Sequence, residues 1–329
     1  MKNNNRQKLL DFITKNHQVK PIDMLDYLKI SRVALHRYLK QLLEENEIIR
    51  LGSPPRVFYA KSDNAIKVHA SINWPKNILQ KIEANFTYIG PDGVIADGVQ
   101  GFMNWAKATK QDNNLLALGE EYVKLLHQAK KHRSKDGLIH ALEKVTQTFN
   151  QVNLDELLYQ DFYSLPKFGK TKLGSQVLYA KQSQSTQLME QLTETIQPVI
   201  EKIIANYQIE AVGFIPHSIK RTQPLLPTLE RILSLPMPSI DLVKVYRGSV
   251  PIAQKSLSRL SERIDNARQT IMVNQKVRFR NVLIIDDAVG SGATLNETAL
   301  KLKEQYGVKK VIGYAIVGSL KGFPVISEI

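Results

Sequence analysis

The chain contains no cysteine. That excludes disulfide frameworks, thiolate metal sites, iron–sulfur clusters and cysteine nucleophiles, and it fits a reducing compartment. It also lacks any run of about 18 uninterrupted apolar residues, so no membrane span is expected. The opening MKNNNRQKLLDFITKNH has no apolar h-region of the signal-peptide kind. A cytoplasmic location is therefore expected. Acidic residues are scarce: 31 against 45 Lys and Arg, a net charge of +14, with a pI of about 9.6. Such an excess favours a polyanionic partner. What is present is otherwise ordinary for a globular protein: 43% apolar and 23% charged residues. At 329 residues the chain suggests two or three domains, with ample length for a core without staples.

The excess charge is not spread evenly. Residues 1–62 carry net +6, residues 63–159 are neutral, and residues 160–329 carry net +8. Two basic ends around a neutral middle fit either one continuous anion surface or two separate sites, so the motifs must distinguish them.

At the N-terminal end, Leu9, Leu10 and Ile13 mark one face of a helix over 6–16. Pro21 sits in the first turn of a second helix over 21–28. Ser31 caps a third helix over 32–45, with Val33, Leu35, Leu39, Leu42 and Leu43 as its apolar set. Its polar positions include Arg32, His36, Arg37 and Lys40. EIIRL, a Gly/Pro break at 52–55 and RVFYA then read as a hairpin. The segment ISRVALHRYLKQLLEENEIIRLGSPPRVFYAK (30–61) resembles the winged helix-turn-helix domains of bacterial regulators. The resemblance implies that Arg32, His36, Arg37 and Lys40 face double-stranded DNA, with Arg56 on the wing. Arginine reads guanine edges bidentately and lysine mostly contacts phosphate. The alternative is a protein-interaction module whose basic face is merely solvated.

The sharpest motif is VLIIDDAVGSGAT (282–294). Its continuously apolar start suits a central parallel strand covered on both faces. Asp286 and Asp287 close that run, a glycine-rich turn follows, and a helix is expected from about Leu295, with Thr294 and Glu297 at capping-box spacing. Strand, N–H-rich turn and helix N-terminus together make a phosphate cradle, and Gly290 and Gly292 allow positive φ. It is not a P-loop, and Leu295 stands where a dinucleotide fingerprint needs its third glycine. Carboxylates beside a phosphate repel it unless they contact something else, and ribose hydroxyls or a divalent cation are the obvious candidates.

This constellation resembles the phosphoribosyl pyrophosphate (PRPP) signature of type I phosphoribosyltransferases. The resemblance implies that Asp286 and Asp287 hold the ribose hydroxyls. It makes Ala288, Val289, Gly290, Ser291, Gly292, Ala293 and Thr294 the 5′-phosphate loop, with Mg²⁺ accompanying PRPP and no metal ligand assigned to the protein itself. AVGFIPHSIKRT (211–222) reads as another strand, whose following turn offers Lys220 and Arg221 either as pyrophosphate ligands or as an ordinary basic loop. Gln254, Leu257, Arg263 and Asn266 within 251–273, with TLNETA after the loop, resemble the ComF-like subgroup. Arg259, Arg263 and Arg268 then either close over pyrophosphate or form a solvated helix face.

Between the ends, FTYIGPDGVIADG (86–98) reads as a hairpin, followed by helical patterns at about 100–108, 115–133 and 136–150. Trp74, Trp105 and Phe102 read as core. His127, His132 and His140 lack metal-ligand spacing. The basic, polar 167–185 reads as a lid or linker. The expected fold is therefore α/β, with a winged helix over 1–62, a mostly helical middle region over 63–174, and a phosphoribosyltransferase-like parallel sheet flanked by helices over 175–329. The expected function is a DNA-binding transcriptional regulator, a homodimer on two half-sites, whose effector is PRPP or a related nucleotide. The alternatives are an active phosphoribosyltransferase and a ComF-like DNA-processing factor.

Overall fold

Three short strands and three helices account for the first part of the chain. In the computed structural model, the described residues are 2–52, 54–62, 74–219, 221–246, 248–250, 252, 256–276 and 278–319. They divide into two units, Met1–Trp74 and Pro75–Ile329.

The first unit holds α1 (Lys2–Asn16), β1 (Gln18–Val19), α2 (Pro21–Leu28), α3 (Arg32–Glu44), β2 (Ile48–Leu51) and β3 (Phe58–Lys61). The strands form an antiparallel sheet in the order β1-β3-β2. Ser31 caps α3 as expected, its hydroxyl accepting the Ala34 N–H at 3.2 Å. Leu9, Ile13, Met24, Leu35, Tyr38, Leu39 and Leu42 bury one face of each helix in a shared core. Val33, expected in that core, is instead 81% exposed, and Tyr38 takes an inward position. The reason is phase: Val33 is three and four residues from His36 and Arg37, hence on their face.

The second unit begins with α4 (Lys76–Asn85), the hairpin β4 (Thr87–Ile89) and β5 (Ile95–Asp97), α5 (Gly98–Ala108) and α6 (Leu115–Lys130). Then come β6 (Ile139–His140), α7 (Leu142–Thr148), β7 (Glu156–Phe162), β8 (Ser164–Leu165), β9 (Gly169–Lys170), α8 (Lys172–Ser183) and α9 (Thr186–Tyr207). The remainder is β10 (Ala211–Phe214), α10 (Leu225–Leu233), β11 (Ser239–Ile240), β12 (Leu242–Lys244), α11 (Leu260–Thr270), β13 (Ile271–Val273), β14 (Asn281–Val289), α12 (Ala293–Tyr306) and β15 (Lys310–Gly318).

The fold is mixed α/β. Six strands make the main sheet in the order β11-β10-β14-β15-β7-β6. All neighbours in it are parallel except β6 against β7. Val282, Leu283, Ile284 and Ile285 of β14 are fully buried, as are Val311, Ile312 and Tyr314 of β15, which is what a parallel sheet covered on both faces requires. The sheet also takes β6 and β7 from within 63–174, so it is not confined to the C-terminal segment. Residues 136–150 are not one helix: Leu138 and Ile139 turn inward and β6 precedes the shorter α7. The 167–185 segment is no open linker. Most of it is α8, capped by Thr171 through the Gly174 N–H at 2.9 Å and buried along Leu173, Val177 and Ala180. Phe102 and Trp105 are core residues, clustered with Phe86, Tyr122 and Phe168, whereas Trp74 is only half-buried.

Candidate functional site

The carboxyl ends of parallel strands are where ligands bind in open α/β sheets. Here those ends bring together residues from four separated stretches. Asp286 and Asp287 do not end β14; the strand continues through them, with Asp286 opposite Ala315 and Ala288 opposite Val317 of β15. The ladder therefore fixes the two aspartates, and Ala288 and Val289 belong to the strand rather than to a loop. The connection to α12 shrinks to Gly290, Ser291 and Gly292. Gly292 adopts φ +82° at the N-cap, a left-handed conformation that favours glycine, while Gly290 does not.

The helix begins at Ala293, two residues earlier than expected. The capping box is absent: Gly292 offers no side chain, and Ser291 instead accepts the Ala293 N–H at 3.3 Å. Glu297, buried, pairs with Arg268 at 2.8 Å. That engages Arg268 away from the turn. Arg263 lies at the turn: a Cβ built on Gly290 would stand 4.0 Å from its guanidinium. The N–H of Thr294, in the first turn of α12, points to the same region.

Around the aspartates stand cations. Lys181, in the last turn of α8, is ion-paired with Asp287. Burial lowers the Lys181 pKa, but the charge and hydrogen bond of Asp287, with Asp286 adding, raise it overall. Arg221 donates to the Lys181 carbonyl at 2.8 Å. Lys244, at the end of β12, donates to the Ser218 hydroxyl at 2.9 Å and to Asn266 at 3.4 Å. Burial lowers its pKa, with the Asp286 charge opposing. Burial and then the neighbouring Asp287 charge push the Asp286 carboxyl up to about 8, with Lys181 opposing. His217, on the turn after β10, is held down by burial and by Arg221. Lys220 lies outside the described residues. Among those described, no group of three or more His, Cys, Asp or Glu can hold a metal ion.

Lys181, Lys244 and Ser218 were not legible as site residues. Lys181 sits in a polar stretch without a motif, and Lys244 is one lysine in a short strand. Only the fold brings them to Asp286 and Asp287.

In the first unit, Arg32, His36, Arg37 and Lys40 are all exposed on α3. Val33, His36, Arg37 and Lys40 follow i, i+3, i+4 and i+7, so they form one stripe. Lys40 also meets Glu44 at 3.8 Å, an exposed pair of little energetic consequence. Arg56 is exposed on the β2–β3 connection. Gly52 makes that turn possible: it has φ +75°, and a Cβ there would lie 2.3 Å from the Arg56 carbonyl oxygen. His140 has its ring nitrogens 3.1 Å from both Asp136 and Glu156, so both are satisfied.

No protein-family model matches the chain, and no curated protein matches it. Among solved structures, the chain is similar to a hypoxanthine phosphoribosyltransferase from Staphylococcus aureus. The identity is 13% and the TM-score 0.27, over 43% of this chain and 70% of that one. No helix among the described residues is long and apolar enough to cross a membrane.

Proposed function

We propose that this protein is a DNA-binding transcriptional regulator whose larger unit binds PRPP or a related nucleotide as effector. The observation that carries the effector half is the cluster at the end of β14. Two strand-held carboxylates, Asp286 and Asp287, stand directly before a helix N-terminus and beside Lys181, Lys244 and Arg221. That donor set suits a phosphorylated ribose. The carboxylates accept from ribose hydroxyls, the Gly290–Thr294 turn donates N–H groups to the 5′-phosphate, and the cations meet pyrophosphate. Mg²⁺ would arrive on the oxygens of the ligand, since the described residues offer no three-carboxylate or histidine cage.

The DNA half rests on the exposed α3 stripe, with Arg32 and Arg56 beside it. Arg37 suits a guanine edge, Val33 a thymine methyl, and Lys40 a phosphate. A winged helix over 1–62 acting as a homodimer would present two such stripes to two half-sites.

A second reading is an active phosphoribosyltransferase, because carboxylates beside ribose also stabilise oxocarbenium charge. Incubation of the full chain with PRPP, Mg²⁺ and a panel of nucleobases separates the two. The regulator reading expects saturable PRPP binding without pyrophosphate release. Sustained release with any base would establish the enzyme instead.

A further inference from the structure

A second cavity lies well apart in sequence from the aspartate site. It measures about 540 Å³ and is lined by α4, α6, the 131–138 connection, the end of β7, and the N-terminal turns of α8. This falls within the roughly 300–1,000 Å³ of small-molecule sites. Four cations converge on it from four separate elements: Lys81 from α4, Lys130 from α6, Arg133 from the connection and Lys172 from α8. A solvated basic helix face would place its charges on one element; this arrangement does not.

Asp161 is the one carboxylate lining the cavity, and it is already engaged. Arg133 pairs with it and also donates to the Gly137 carbonyl at 3.1 Å and to the Gln160 carbonyl. Lys172 meets Asp97 at 3.7 Å, a loose contact. No ion pair within the described residues holds Lys81 or Lys130.

The interior supplies the second observation. Tyr122 is only 3% exposed yet lines the cavity, and its hydroxyl, which is not sealed from solvent, makes no hydrogen bond to another described residue. Such a hydroxyl can donate to a bound molecule in place of water. Burial, and then the charge of Asp161, push its pKa up, so it stays a phenol. Ala84, Leu126 and Leu165 give part of the wall an apolar surface, and Asn85, His127, Gln160, Thr171, Gln176 and Thr195 make the remainder polar. A cationic rim with a wall part apolar and part polar fits a molecule with a charged head and a flat, hydrogen-bonding body better than a bare anion.

We propose that this cavity is a second ligand site, for a nucleoside monophosphate. Its phosphate meets Lys81, Lys130 and Lys172, and its ring lies on the apolar wall beside Tyr122. The assignment is independent of Asp286 and Asp287.

Calorimetric titration of the full chain with adenosine, guanosine and cytidine 5′-monophosphates tests it, with adenosine and inorganic phosphate as comparison probes. At least one monophosphate should bind, with both comparison probes at least tenfold weaker. The exposed double variant Lys81→Ala/Lys130→Ala should weaken binding at least tenfold, and Tyr122→Phe should weaken it measurably with the melting temperature checked in parallel. In an Asp287→Asn background, which disables the first site, the binding that the double variant removes should persist. The proposal is overturned if no monophosphate binds at millimolar concentration. It is also overturned if inorganic phosphate binds as tightly, if the double variant binds as wild type, or if Asp287→Asn abolishes binding.

Discussion

Lys181 and Asp287 form an ion pair that ties the last turn of α8 to the carboxyl end of β14. The two residues are 106 positions apart, and the contact joins a segment with no motif to the sharpest motif in the chain. Asp287 is mostly buried while Lys181 remains 43% exposed along its side chain, so water screens the pair in part.

Removing Lys181 leaves two adjacent carboxylates without their nearest cation. Lys181→Ala should cost about 1–2 kcal/mol of stability, a figure already reduced for that screening. Adding Asp287→Asn should restore part of the loss, because contacting residues are not additive. A thermal-melt double-mutant cycle reads this directly. Additive losses would show that the contact does not stabilise the protein.

Asp286 carries a pH signature. Its carboxyl is raised from 3.8 to about 8, by burial first and then by Asp287. A group raised on folding contributes stability fully present below its unfolded value and lost as pH rises through its folded value. Asp286→Asn should therefore stabilise the unliganded protein most at pH 8 and above, with the gain shrinking toward pH 4. A gain of about 1 kcal/mol corresponds to roughly 2–4 °C in Tm for a unit of this size. Melting curves across that range decide the sign.

His140 runs the same way for a different reason. Burial lowers its pKa, but the hydrogen bonds it donates to Asp136 and Glu156 raise it overall. Its stabilising contribution is present below about 6.5 and fades as pH rises through its elevated value. His140→Gln should lower Tm more at pH 5.5 than at pH 8.5. Equal losses at both pH values would remove the charged pair from the account.

The α3 stripe makes a separable prediction. Lys40→Ala should weaken binding to duplex DNA about equally across sequences and reduce the salt slope by about 1. Arg37→Ala should cost about 1–3 kcal/mol at a matched site and relax the preference there. Electrophoretic mobility shifts at several salt concentrations distinguish the two variants. Wild-type affinity in both would leave the stripe without a role in DNA contact.

Much of this architecture was legible in the residues. The helices of the first unit follow from Leu9, Ile13 and the Ser31 cap, and β14 follows from an uninterrupted VLII. What escaped has physical reasons. Val33 fell outward because helical phase, not residue type, decides its face. The aspartates sit within β14 because β15 extends the ladder past them, and pairing with a strand across the sheet leaves no local mark. Residues 136–141 carry a helical pattern, but Leu138 and Ile139 earn more burial beside β7 than a helix would provide. Lys181 and Lys244 reach the site only through tertiary packing.

The regulator reading is tested most directly by titrating genomic DNA fragments with the full chain, with and without PRPP and Mg²⁺. Expected is a shift in DNA affinity of about 5–150-fold, the range of a 1–3 kcal/mol coupling, that disappears in Asp286→Asn/Asp287→Asn. An affinity for DNA that is identical with and without PRPP, in protein shown to bind PRPP, would contradict it.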